Sequence, residues 1–129
     1  ELREEIRKRV EEGACRFHVL VPRTLPVDYA RERGLAVGSV AAEQGAETQT
    51  RYRMEQVVND ITGMGAEASG ELGDPDPYHA IKDVMRHREF DEVIVSTLPT
   101  HLSRWVRMDL AHRVKRHFDL PVTVVTAKQ

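Results

Sequence analysis

The feature that most constrains this chain is a strand-helix-strand pattern in its last third that contains no glycine. Residues 90–97 (Phe90-Asp-Glu-Val-Ile-Val-Ser-Thr97) read as a buried strand, and Pro121 to Thr126 as a second one. Between them a helix is expected from about Ser103 to Phe118. A strand, one helix and a strand in so short a stretch make two parallel strands joined by a crossover, the unit of an α/β sheet. In such a sheet a ligand crevice lies at the carboxyl ends of the strands, here at Ser96-Thr97-Leu98-Pro99-Thr100. Yet no glycine follows Gly73. A loop that wraps phosphates closely uses glycine, because the backbone must approach the ligand and adopt positive φ.

The 129 residues suit one domain, burying roughly 70% of the surface that the unfolded chain exposes. A net charge of −2 gives no overall pull toward nucleic acid or an anionic membrane. The single cysteine, Cys15, leaves no internal disulfide and fits a reducing, cytoplasmic setting. No apolar run approaches the ~20 residues of a membrane span, so no direct membrane insertion is expected. The sequence starts at Glu1, which fits either a trimmed protein or a segment of something longer.

Leu2, Ile6 and Val10 recur every four residues among charges, so residues 1–13 read as an amphipathic helix or linker ending at Gly13. Residues 14–129 form the main domain. Cys15 to Val21 reads as its first strand, and His18 within it as a half-buried strand histidine. Pro22 to Val40 reads as a long loop with one helical turn. A helix follows from about Ala41 to Thr62, its apolar face marked by Ala42, Ala46, Gln49, Met54, Val57, Val58 and Ile61. Ala66 to Leu72 reads as a weak strand, where Gly70 suggests an edge position or a bulge. Asp76 is suited to cap a helix that begins at Pro77 and runs to about Arg88. The alternation of strands and helices argues for a doubly wound α/β layer fold.

Chemistry concentrates in the loop after residues 90–97. Ser96, Thr97, Thr100 and Ser103 supply hydroxyls, and Arg104 and Arg107 sit at the amino end of the next helix, whose free N–H groups favour an anion. On that helix Leu102, Val106, Leu110, Val114 and Phe118 form a buried stripe, and Trp105 adjoins it. Arg113, Lys115 and Arg116 take the remaining faces as a solvated surface. Nucleic-acid binding along residues 104–116 lacks interleaved aromatics, and no nucleic-acid partner is expected. The six histidines show no metal-binding spacing, and no nucleophile elbow is present. No catalytic residue is assigned.

Three segments carry a family likeness: Val-Leu-Val-Pro at 19–22, Gly73-Asp74-Pro75, and the carboxyl-terminal run. In that run Phe90 to Thr97 is similar to a strand of the form Asp-Leu-Ile-Val-Met-Gly-Ser. Arg113-Val-Lys-Arg-His-Phe-Asp-Leu-Pro-Val-Thr-Val-Val125 is similar to the same family's closing strand. The chain thus resembles the universal stress proteins. The resemblance implies a three-layer, doubly wound, mostly parallel five-stranded sheet, with homodimerisation through the last strand, residues 122–126. It also implies a non-catalytic regulatory or signalling module in stress responses, either free or fused to a membrane transporter, with protein partners. In the ATP-binding branch a loop with three glycines and a closing Ser/Thr holds the phosphates. Here those places fall near Leu98, His101, Met108 and Asp109, and the aspartate expected after the first strand is replaced by Arg23 and Thr24. These departures argue against ATP or AMP held in the family's manner, and no cofactor is expected. A retained anion or nucleotide would contact Arg23, Ser96, Thr97, Thr100, Ser103 and Arg104. The alternative is an enzyme of the adenine-nucleotide hydrolase-like superfamily that uses the same crevice.

Overall fold

The computed structural model describes residues 2–97 and 109–126, with the backbone alone at Thr97 and Thr126. The order of elements is α1 (Leu2–Glu12), β1 (Arg16–Pro22), α2 (Pro26–Arg33), α3 (Val40–Gly63), β2 (Glu67–Gly73), α4 (Pro77–Met85), β3 (Val93–Thr97), α5 (Leu110–Phe118) and β4 (Val122–Thr126). The protein is α/β, and among the described residues both strand pairs are parallel.

Local chemistry sets each helix end. The Asp76 carboxylate accepts hydrogen bonds from the Tyr78 and His79 N–H groups at 2.9 and 3.3 Å, and Pro77 takes the first helical position. The Ser39 hydroxyl caps α3 by accepting from Ala42 N–H at 3.1 Å. The expected loop over 22–40 instead contains α2. Pro26 presets the first helical φ, and Gly34 closes the helix at φ 68°. Both residues act as helix signals once their order is respected.

Helices cover both faces of the β1–β2 pair. On one face α3 presses so closely that a Cβ on Gly70 would collide with Met54 and Val58. On the other, a Cβ on Gly73 would lie 2.7 Å from Ala80 Cβ of α4 and 2.8 Å from Leu20 Cδ1. Gly70 sits in an unbroken seven-residue register from Arg16↔Glu67 to Pro22↔Gly73, so close packing explains this glycine, and no bulge does. Along α3 the buried positions are Ala42, Ala46, Thr50, Met54 and Ile61. Thr50 occupies the core position for which Gln49 was expected; Gln49 is half-buried.

The second core packs α4 and α5 onto β3–β4 through Tyr78, Val95, Leu110 and Val114, flanked by Ile81, Val93, Phe118 and Val122. The expected stripe of Leu110, Val114 and Phe118 is therefore present; Leu102, Trp105 and Val106 lie outside the described residues. The expected helix does not run unbroken through residue 109. Asp109 has φ 51° and α5 begins after it, while Asp119 at φ 53° ends it.

The single five-stranded sheet is not what the described residues form. They make two two-stranded parallel sheets, β1–β2 and β3–β4. The chain passes from one pair to the other through α4, which touches both β1 and β2 and also α5. At the seam a side-chain contact is found: the His18 ring stacks on Phe90 with centroids 6.0 Å apart. Hydrophobic periodicity locates strands but carries no information about which edges pair.

Candidate functional site

The carboxyl ends of β1 and β2 are closed by a polar lock. Arg23 follows β1 directly, and its N–H donates to Gly73 O at 3.0 Å, extending the ladder by one step. Its guanidinium turns to Glu47 of α3, with Nε 3.1 Å from Oε2, and also reaches Gly73 O at 3.4 Å. Beside it the Thr24 N–H donates to Thr50 Oγ1 at 3.0 Å, and the Thr50 hydroxyl donates to Ala46 O at 3.0 Å. Thr50 is fully buried. A hydroxyl in that position is tolerated because both its donor and its acceptor capacity are used. Thr24 Oγ1 lies 3.5 Å from Gln49 Oε1 at the edge of the same network.

Of the residues expected to contact an anion, Arg23 is therefore ion-paired at the end of β1. Ser96 is half-buried within β3 and pairs in register with Val125. Thr97 ends β3 opposite Thr126. Thr100, Ser103 and Arg104 lie outside the described residues. The structure places Arg23 and Ser96 on different strand pairs. Side chains of register partners share a face in a parallel sheet, so Ser96 lies with Ile94, Thr123 and Val125, opposite the Val93–Val95–Val122 core face.

Two open recesses flank the second half. One of about 570 Å³ is lined by Ala111, His112, Lys115, Arg116, Asp119 and Val122. The other, about 320 Å³, is lined by Glu71, Asp83, Val84, Arg86, His87 and Arg88. Neither includes Arg23 or Ser96. Among the described residues no three histidine, cysteine or acidic side chains converge on a point that could hold a metal ion.

His18 is half-buried in β1, as expected, with its side chain 5% exposed. Its Nδ1 shares a 2.8 Å hydrogen bond with Ser69 Oγ, while Nε2 is buried without a hydrogen bond, 3.5 Å from Glu71 Oε1.

The strongest electrostatic cluster was not anticipated and lies at the amino ends of β3 and β4. Arg9 of α1 makes a bidentate pair with Glu92, Nε to Oε1 at 2.9 Å and Nη2 to Oε2 at 3.0 Å. It also bonds the Glu5 carboxylate, and its Nη2 reaches Thr123 Oγ1 at 3.4 Å. Hydrogen bonding from Arg9 holds the Glu92 carboxyl below its ordinary range against the opposing effect of burial, and holds Glu5 low as well. The same bonds, that of Glu92 foremost, raise the affinity of Arg9 for its proton. Such partners stand 83 residues apart, and only an i,i+4 Glu5–Arg9 spacing on α1 hinted that Arg9 was engaged.

No helix among the described residues is long and apolar enough to cross a membrane. No protein-family model matches the chain, and no curated protein matches it.

Proposed function

We propose that this chain is a non-catalytic regulatory module of the universal-stress-protein kind, working in the cytoplasm, that does not hold ATP at the end of its first strand. The observation behind this reading is the Arg23 lock. Where a nucleotide-binding relative would present an acidic side chain, Arg23 is turned onto Glu47 and the Gly73 carbonyl, and Thr24 is tied to buried Thr50. A ribose or base entering there would meet a cation where an acidic side chain is needed. It would displace a solvent-exposed ion pair at small cost, and would have to uncover the buried Thr50 hydroxyl. The parallel strand pairs with helices on both faces of β1–β2 support the family-like layering, in which β1 and β3 would stand side by side.

The test is thermal unfolding with ATP, AMP or cyclic AMP. A ligand at 100 times its Kd adds about 2.7 kcal/mol of stability, which is easily seen in a melting curve. The expected result is no shift with any of the three. A clear shift with ATP would refute the reading.

We further propose homodimerisation through β4. Its sequence Val122-Thr-Val-Val-Thr126 has no charge or proline to blunt a free edge, and Val124 is 49% exposed. Sedimentation should show a dimer that Val124→Lys converts to monomer; a wild-type monomer at all concentrations would remove this part of the proposal.

A further inference from the structure

We infer that α1 is an ion-latched strap, which joins the β1–β2 half to the β3–β4 half when closed and releases as a unit about residues 11–14. The geometry behind this is a helix that bridges two halves while burying little of itself. At its start, Arg3 pairs with Asp60 near the end of α3, with Nη2 to Oδ2 at 2.9 Å and Nε to Oδ2 at 3.2 Å. At its other end, Arg9 grips Glu92 just before β3 and touches Thr123 of β4. The strap thus runs from the helix that covers β1–β2 to the amino ends of β3 and β4.

Among its side chains only Ile6 is buried, at 4% exposed. Leu2 and Val10 are half-buried beside it, a narrow apolar stripe that leaves the eleven-residue helix dependent on its polar contacts as well. The Arg9–Glu92 pair is the sheltered one, with side chains 21% and 32% exposed against 62% and 41% for Arg3 and Asp60. Bidentate geometry and partial shelter make it the latch, whereas the outer pair is open to solvent and salt. The hinge is available as well. Residues 11–14 are all exposed, and the space around Gly13 is empty.

The strap matters because no strand ladder joins β1–β2 to β3–β4 among the described residues. It reaches Thr123 on the face of β3–β4 that also carries Ile94 and Ser96, the face turned away from the α4–α5 core. Opening α1 would loosen that face together with the coupling between halves.

Hydrogen exchange on the full chain tests this. In Arg9→Gln and in Glu92→Gln, amides of α1 and β3–β4 should exchange roughly tenfold faster, while those of α3 and β2 keep their wild-type rates. The double variant should be no faster than Arg9→Gln alone, because that variant already removes the Glu92 contact together with those to Glu5 and Thr123. Wild-type protein moved from 0.1 to 1 M salt, where the Debye length falls from ~10 to ~3 Å, should show a smaller acceleration of the same regions than the variants. The sheltered latch is screened less than the exposed Arg3–Asp60 pair. Unchanged rates in α1 and β3–β4, additive single variants, or equal acceleration everywhere would each overturn the inference. The salt series decides the matter even if a variant fails to fold.

Discussion

The half of the molecule built on β1–β2 contains every glycine of the chain, and the half built on β3–β4 contains none. In the first half glycine serves two ends. Gly70 and Gly73 let α3 and α4 press onto the strands from either side, and Gly34 ends α2 in the left-handed region at φ 68°. In the second half the same left-handed turns are made by Asp109 at φ 51° and Asp119 at φ 53°. Its packing relies on side chains, with Leu110 and Val114 of α5 set against Val95. The first half is thus closed by backbone approach and sealed at its strand ends by the Arg23 and Thr50 contacts. The second keeps an open edge with exposed Val124, and a recess where Lys115 and Arg116 stand exposed. Among the described residues, the exposed apolar strand residue and the basic recess both lie in the half that has no glycine.

Core truncations probe this contrast most strongly. Ile61 is 1% exposed at the end of α3, and Ile61→Ala should lower unfolding free energy by about 3 kcal/mol. Val114 is fully buried in the second half, and Val114→Ala should lose about 2 kcal/mol. Denaturant unfolding with separate probes for each half gives the comparison its edge. Coincident transitions in both variants would mean that the halves fold as one unit. A β3–β4 transition that separates only in Val114→Ala would mean that the first half stands on its own.

The next effect concerns the lock. Thr50→Val keeps the shape but removes the acceptor for Thr24 N–H, leaving that half-buried donor without its partner. About 1–2 kcal/mol of stability should be lost. Glu67→Ala, on an exposed strand position of the same half, removes only a solvent-exposed ion pair with Arg16 and should change stability by less than the Thr50 variant. Equal losses in the two would show that the lock adds nothing special.

Much of this architecture is legible residue by residue. Asp76 before Pro77 announces α4, and the four-residue spacing of Leu110, Val114 and Phe118 announces the buried side of α5. Both signals are local, so sequence carries them whole. What stays hidden depends on distance in the chain. Arg23 stands where an anion contact would be sought, yet its partner Glu47 is 24 residues away on a helix whose orientation no spacing reveals. Arg9 and Glu92 are more remote still. Thr50 is a different failure: it continues the Ala42–Ala46 step of four and leads on to Met54, whereas the expected stripe took Gln49, one position off that step. The division of four strands into two pairs is beyond any periodicity, because alternation describes faces and says nothing of edges. The expected helix passed through Asp109 for a related reason. A charged residue on the exposed side of a helical pattern looks the same whether it continues the helix or starts it.

The smallest expected effect has the opposite sign in the two halves. Gly34→Ala in the first half forces a Cβ into the left-handed region at the end of α2, and should destabilise by about 1 kcal/mol. Asp119→Gly in the second half relieves the same conformation at the end of α5, where aspartate tolerates it only in part. Glycine also gives the unfolded chain more freedom, which offsets part of the gain. A net stabilisation of about 0.5 kcal/mol should remain, visible as a higher denaturant midpoint at unchanged slope. Asp109→Gly should gain less than Asp119→Gly, because it also removes the 3.4 Å pairing with His112. If Asp119→Gly instead destabilises, the carboxylate supplies a contact at the α5–β4 turn that glycine cannot replace. The aspartates of the second half would then be specific fixtures of its turns, where the first half uses glycine for backbone freedom alone.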